Sequence, residues 1–133
     1  MTLNIRVIAP DRTVWDANAE EVILPSSTGQ LGILTGHIPL LTALDIGVMR
    51  VRIDKDWVPI VLMGGFAEID NNKITILVNG AEETIDIDIS LAQKNLEEAT
   101  AKLTQAISTK DKIEATQNIR KARARLQAVV TIT

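Results

Sequence analysis

The chain has 133 residues and a formal net charge of −3, long enough for one compact domain or a small domain with an appendage. Hydrophobic residues make up 46% of it and charged residues 23%, which permits a sizeable core. Cysteine is absent, which excludes disulfides, thiolate nucleophiles and thiol switching. Two Trp, one Phe and no Tyr are too few to stack single-stranded nucleic acid. No charged segment followed by an apolar stretch opens the chain, so no signal peptide is expected. Runs such as Ile60–Met63 are too short to span a bilayer, so membrane association is expected only through partners.

The first two-thirds read as strands. Leu3, Ile5 and Val7 alternate with Asn4 and Arg6, the period of a half-buried strand. Pro10-Asp11 interrupts it. Val22-Ile23-Leu24 is expected to stop at Pro25, with a turn at Ser26–Gly29. Leu31–Leu34 is a short run ending at Thr35-Gly36. Val48–Ile53 and Trp57–Met63 flank a polar tip at Asp54–Asp56, and Pro59 argues for an edge position or a bulge. Phe66–Ile69 and Ile74–Val78 flank a second tip at Asp70–Lys73. Many short strands at this spacing suggest a sandwich or flattened barrel.

The period changes near residue 86. Apolar residues recur at 91, 92, 96, 99, 103, 106 and 107, and again at 115, 119, 122, 126, 129 and 130, two helical stripes. Asp88 or Ser90 is expected to cap the first helix, Ser90 with Gln93 as a capping box. Ser108–Asp111 reads as the turn of an antiparallel hairpin. Alanine supplies much of both stripes; it favours helix but buries little area. The hairpin is therefore expected to stay helical and dock weakly, as a mobile or partner-dependent segment does. Charge divides at the same place, with a net of −5 over residues 1–85 and +2 over residues 86–133. Two modules with these boundaries and different partners are expected.

Catalytic constellations are not evident. His37 is the single histidine, so no two-histidine metal site exists. Ser26 or Ser27 with His37 reads as a loop feature rather than a triad. No phosphate loop is present, and Gly64-Gly65 reads as a close backbone approach or bulge within sheet. Asp86 and Asp88 read as capping residues rather than an acid–base pair. Arg120, Lys121, Arg123 and Arg125 form a basic cluster without an acid among them. It is either a solvated helix face or a surface for an acidic partner; the acidic first module argues against nucleic acid.

Three segments carry a resemblance. Ser27–Leu41, with Thr28-Gly29-Gln30-Leu31-Gly32-Ile33 and Thr35-Gly36-His37-Ile38-Pro39, resembles the signature loop of the ATP synthase epsilon subunits. Gly64-Gly65-Phe66-Ala67-Glu68 followed by Ile74–Val78, and Val7–Trp15 near the start, are similar to the same family, in its plastid and cyanobacterial form. The resemblance spans residues 3 to 130. It implies a β plus α fold, an N-terminal ten-stranded β-sandwich followed by a C-terminal antiparallel two-helix hairpin. It implies a non-catalytic rotor subunit that couples the membrane rotor c-ring to the gamma subunit, placed peripherally at the thylakoid membrane. The ring-facing loop would comprise Gln30, Leu31, Gly32, Ile33 and His37; Gln30 stands where the family often has an acid. The hairpin would inhibit ATP hydrolysis by reaching the alpha/beta hexamer through Arg120, Lys121, Arg123 and Arg125. No cofactor, metal or nucleic-acid partner is implied.

Some members clamp the hairpin with ATP through an Ile-Asp-x-x-Arg-Ala motif, and an ATP-sensing module is the alternative function. This chain reads Ile87-Asp88-Ile89-Ser90-Leu91-Ala92, with Leu91 in place of the arginine and Lys121 in place of a later one. Asp88 and Arg125 remain as possible weak nucleotide contacts. Losing a guanidinium removes charge-assisted bonds to phosphate, so ATP binding is expected to be weak or absent.

Overall fold

In the computed structural model, which describes residues 2–132, the chain forms eight strands and then two helices. The strands are β1 (Leu3–Ala9), β2 (Arg12–Ala19), β3 (Glu21–Ser26), β4 (Gly29–Leu34), β5 (Leu40–Ile53), β6 (Asp56–Asp70), β7 (Lys73–Val78) and β8 (Ala81–Glu83). They pair in the order β2-β1-β7-β6-β5-β3-β4, with β8 beside β6. Only β1 and β7 run parallel; the other pairings are antiparallel.

Two strands were longer than the sequence pattern indicated, because each serves both layers of the sandwich. In β5 the core takes Leu44 from the first half, then Met49 and Val51 from the second. In β6 it takes Ile60 and Leu62, then Ala67 and Ile69. Side chains alternate strictly along a strand, so this change of parity means each strand crosses from one layer to the other. The ladder between them omits Asp45 and Gly64 at the crossing. Counting each half separately reconciles the eight continuous strands with the expected ten. The glycines are what permit the bend: Gly64 and Gly65 have φ of +83° and +157°, and a Cβ on Gly65 would stand 2.8 Å from Val78 Cα and nearer still to the Leu77 carbonyl.

The prolines sit where ladders lapse. β3 continues through Pro25 rather than ending there, but its register with β5 shifts between Ile23 and Ser26. Gly47 leaves the room, since a Cβ on it would lie 2.7 Å from Pro25 Cβ. β6 is a central strand, yet at Pro59 only β5 flanks it, because β8 first pairs at Ile60. Asn71 and Asn72, both at positive φ, make the tight turn between β6 and β7. β2 is largely exposed and polar, which hides it from a search for alternation.

A single 3-10 turn, Thr84–Asp86, leads to α1 (Ile89–Gln105) and α2 (Thr109–Ile132). Asp88 caps α1 by accepting a hydrogen bond from Leu91 N at 3.1 Å; Ser90 lies inside the helix, so the expected box does not form. Ser108 Oγ accepts from Asp111 N at 3.1 Å, so α2 begins within the segment expected to be the turn. Ala92 and Ala99 of α1, with Ala115, Ile119 and Ala122 of α2, are buried. Leu91 and Ile107 of the first stripe are more than half exposed, so it buries fewer large residues than its spacing suggests. Val130 of the second stripe lies outside the residues whose side chains are described.

α2 also has a second apolar face. Ala124 and Ala128 lie about 180° around the helix from Ala115, Ile119 and Ala122, and both are buried. They meet Val48 and Val61, cross-strand partners on the outer face of β5 and β6. Ile60–Leu62 is therefore covered on both sides, which is why that run is continuously apolar instead of alternating. The hairpin rests on the sandwich through these small side chains, with Ile46, Met63 and Ile87 packed around them.

Candidate functional site

The Ser27–Leu41 region is an edge strand and a turn. β4 pairs with β3 alone, leaving its other edge without a strand, a surface suited to meeting another chain. Gln30 and Gly32 are exposed, Leu31 and His37 half-buried. Ile33 is a correction: expected among the outward residues, it is fully buried in the core. The alternation of β4 points it inward, so only its backbone can meet a partner.

Hydrogen bonds hold the turn after β4. Gly36 N donates to Asn72 Oδ1 at 2.7 Å, while Asn72 O accepts from Asn4 N at 2.9 Å. Asn72 thus ties this turn to the β6–β7 turn and to β1. His37 Nδ1 donates to the Ile38 carbonyl at 2.6 Å, and Ser26 Oγ lies 3.2 Å from the Thr28 and Thr42 hydroxyls. Those bonds commit both groups elsewhere and form no triad. No cluster of metal-ligating residues occurs among the described residues.

Beside this turn the sandwich exposes an apolar row. Ile8, Leu77, Phe66 and Ala43 are successive cross-strand neighbours on β1, β7, β6 and β5. Phe66 is 55% exposed, Leu41 on the same face of β5 69%, and Ile38 73%. Their inward neighbours Ile76, Ala67 and Leu44 are core. Sequence reasoning missed the row, since alternation identifies two faces but does not reveal which one is covered.

The basic cluster divides. Arg120 and Arg123 are exposed and Lys121 half-buried, and none of them forms an ion pair among the described residues. The helix face between Arg120 and Lys121 carries Ala124 and Ala128 and meets the sheet. Arg125 turns to β8 and forks onto Glu82: Nε lies 2.9 and 3.0 Å from the two carboxylate oxygens, and Nη2 2.7 Å from Oε2. The cleft there is lined by Glu82, Asp86, Asp88, Leu91, Asn95 and Arg125. It offers three carboxylates and one guanidinium, and that guanidinium is already paired.

The fold so defined is a β-sandwich bearing a docked two-helix arm. Residues 2–84 match the family model for the beta-sandwich domain of the ATP synthase delta/epsilon chain, and residues 86–129 match that for its long alpha-helix domain. The chain is 75% identical over 133 residues to the chloroplastic ATP synthase epsilon chain of Pyropia yezoensis, covering 100% of this chain and 99% of that one. It is 63% identical over 131 residues to the ATP synthase epsilon chain of Thermosynechococcus vestitus, covering 96% and 95% of the two. A chain of the Euglena gracilis mitochondrial ATP synthase shares the fold, with a TM-score of 0.85 and 22% identity over 97% of this chain and 81% of that one. The chain belongs to the ATP synthase epsilon chain family.

Proposed function

We propose that this chain is a non-catalytic central-stalk subunit of a proton-translocating ATP synthase, with residues 1–85 as rotor adaptor and residues 86–133 as regulatory hairpin. The adaptor joins the gamma subunit to the membrane rotor c-ring. The hairpin limits ATP hydrolysis by leaving the sandwich and engaging the alpha/beta hexamer. The observation that carries this reading is the row of Phe66, Leu77 and Leu41, left exposed on a sandwich that already has a sealed core. A contiguous exposed apolar surface marks a partner site. We assign that row to the gamma subunit, and the turn with Gln30, Leu31, Gly32 and His37 to the c-ring.

Attachment is peripheral, on the stromal or cytoplasmic face of a thylakoid membrane, through those partners. Among the described residues no helix is long and apolar enough to cross a membrane. The seating of α2 through small alanine side chains supports a hairpin that can leave. Exposed Arg120 and Arg123, with Lys121 beside them, suit an acidic surface. The nucleotide-clamped alternative is disfavoured, because Asp88 is engaged as a cap and Arg125 already holds a carboxylate.

Truncation after Glu83, reconstituted with the catalytic subcomplex, tests the reading. The expected result is a folded sandwich that still assembles, with faster ATP hydrolysis. Neutralising Arg120, Lys121, Arg123 and Arg125 together is expected to reproduce most of that rise. Unchanged hydrolysis in both would refute the inhibitory role.

A further inference from the structure

The ion pair between Arg125 and Glu82 joins residues 43 positions apart, from the segment of α2 that carries Ala124 and Ala128 onto the sheet and the short strand that precedes the helices. Its side chains retain 26% and 30% of their exposure, so it is partly shielded from water and geometrically complete on the carboxylate. Glu82 belongs to β8 and is opposite Val61 in the ladder with β6. It stays with the sandwich if α2 departs. Arg125 travels with α2.

We infer that Glu82 is a built-in competitor for Arg125: it masks that member of the basic cluster while the hairpin is docked and releases it when the hairpin leaves. The chemistry supports this. Both oxygens of one carboxylate are engaged by the Nε–Nη2 edge of the guanidinium, the fork geometry that an acidic side chain on a partner would also use. Two carboxylates cannot occupy that edge together. The apolar part of the dock is Ala124 and Ala128 on Val48 and Val61, with Ile46, Met63 and Ile87 packed around them; its α2 side is built of small side chains, so one half-buried ion pair is a substantial share of what holds α2 in place. Undocking and unmasking are then a single event. The competition rests on the proposed role of the basic cluster as a partner surface; the effect on docking does not.

The test uses the full chain. Because cysteine is absent, Asp70→Cys and Gln117→Cys, both at exposed positions, accept a donor–acceptor dye pair that reports docking by energy transfer. Glu82→Gln keeps the shape and removes the charge; Arg125→Gln removes the other partner. Each is expected to raise the undocked fraction about fivefold, with the double variant adding little beyond either single one. In the reconstituted catalytic subcomplex the two diverge: Glu82→Gln inhibits hydrolysis more strongly than the parent chain, and Arg125→Gln less. Unchanged energy transfer in Glu82→Gln overturns the latch. Undocking accompanied by weaker inhibition in Glu82→Gln overturns the competition. If both variants undock and hydrolysis responds to neither, the latch stands and the inhibitory reading of the hairpin falls.

Discussion

Ala128 is the residue on which the seating of α2 turns. It is fully buried against the outer face of β5 and β6, where Val48 and Val61 oppose each other. Ala128→Leu replaces a methyl by an isobutyl group where no open side receives it. Forcing the larger side chain into a filled contact costs about 1–3 kcal/mol. The burial of Val48 and Val61 contributes at most about 3–6 kcal/mol to the dock, since the extended-chain reference overstates the area removed from water. The cost is comparable to a large part of that contribution and shifts the docked-to-undocked ratio about five- to 150-fold. Leucine is nearly as good a helix former as alanine, so α2 stays helical. The sandwich core excludes both faces of α2, so its melting temperature stays unchanged. Energy transfer between dyes at positions 70 and 117 measures the shift, and circular dichroism measures helicity. Undiminished transfer with intact helicity would refute the claim that alanine methyls set the approach of the hairpin.

Other substitutions separate architecture from docking. Gly65→Ala is expected to lower stability by about 3 kcal/mol or more, because its Cβ meets the backbone of β7 rather than a movable side chain; chemical denaturation reads this directly. Asn72→Ala removes the acceptor for Gly36 N and places alanine at a φ of +62°. A loss of about 1–2 kcal/mol, together with faster exchange of the Gly36 amide and weaker association with the isolated c-ring, is the expected outcome. Phe66→Glu is expected to leave the melting temperature within a few degrees, since the ring is more than half exposed, while lowering affinity for the gamma subunit about tenfold or more. A fall in stability without a fall in affinity would mean that the row serves the sandwich rather than a partner.

Much of this protein is written locally. The alternation of Leu3, Ile5 and Val7, the polar tips around Asp54 and Asn71, and the change to helical spacing near residue 86 each depend on neighbours only a few positions apart. They identify a sheet-forming module followed by a hairpin, and the Ala-rich stripes identify that hairpin as thinly packed. The segment from Ser27 to Leu41 identifies the family in the same way. Three features were not legible. A strand that changes layers keeps its polarity but reverses the parity of its core residues, so β5 and β6 looked like shorter pieces. The outward face of a strand looks the same whether a partner, a helix or water lies over it, so Val61 and Phe66 could not be told apart. And Ala124 with Ala128 opposes the main stripe of α2, where a search for one apolar face finds only interruptions.

By itself, then, the sequence determined the kinds of element, their order, the alanine-rich make-up of the hairpin and the family, because all of these rest on short-range spacing and composition. Only the tertiary structure decided which basic residue is masked. Arg125 and Glu82 lie on opposite sides of the Thr84–Asp86 turn, and the carboxylate can fork onto the guanidinium only because the sheet sets β8 beside β6 and α2 packs over β5 and β6. Packing of the sandwich buries Ile33 and α2 covers Val61, while Phe66 is left bare, since which surfaces remain for partners depends on which ones the chain has already used on itself.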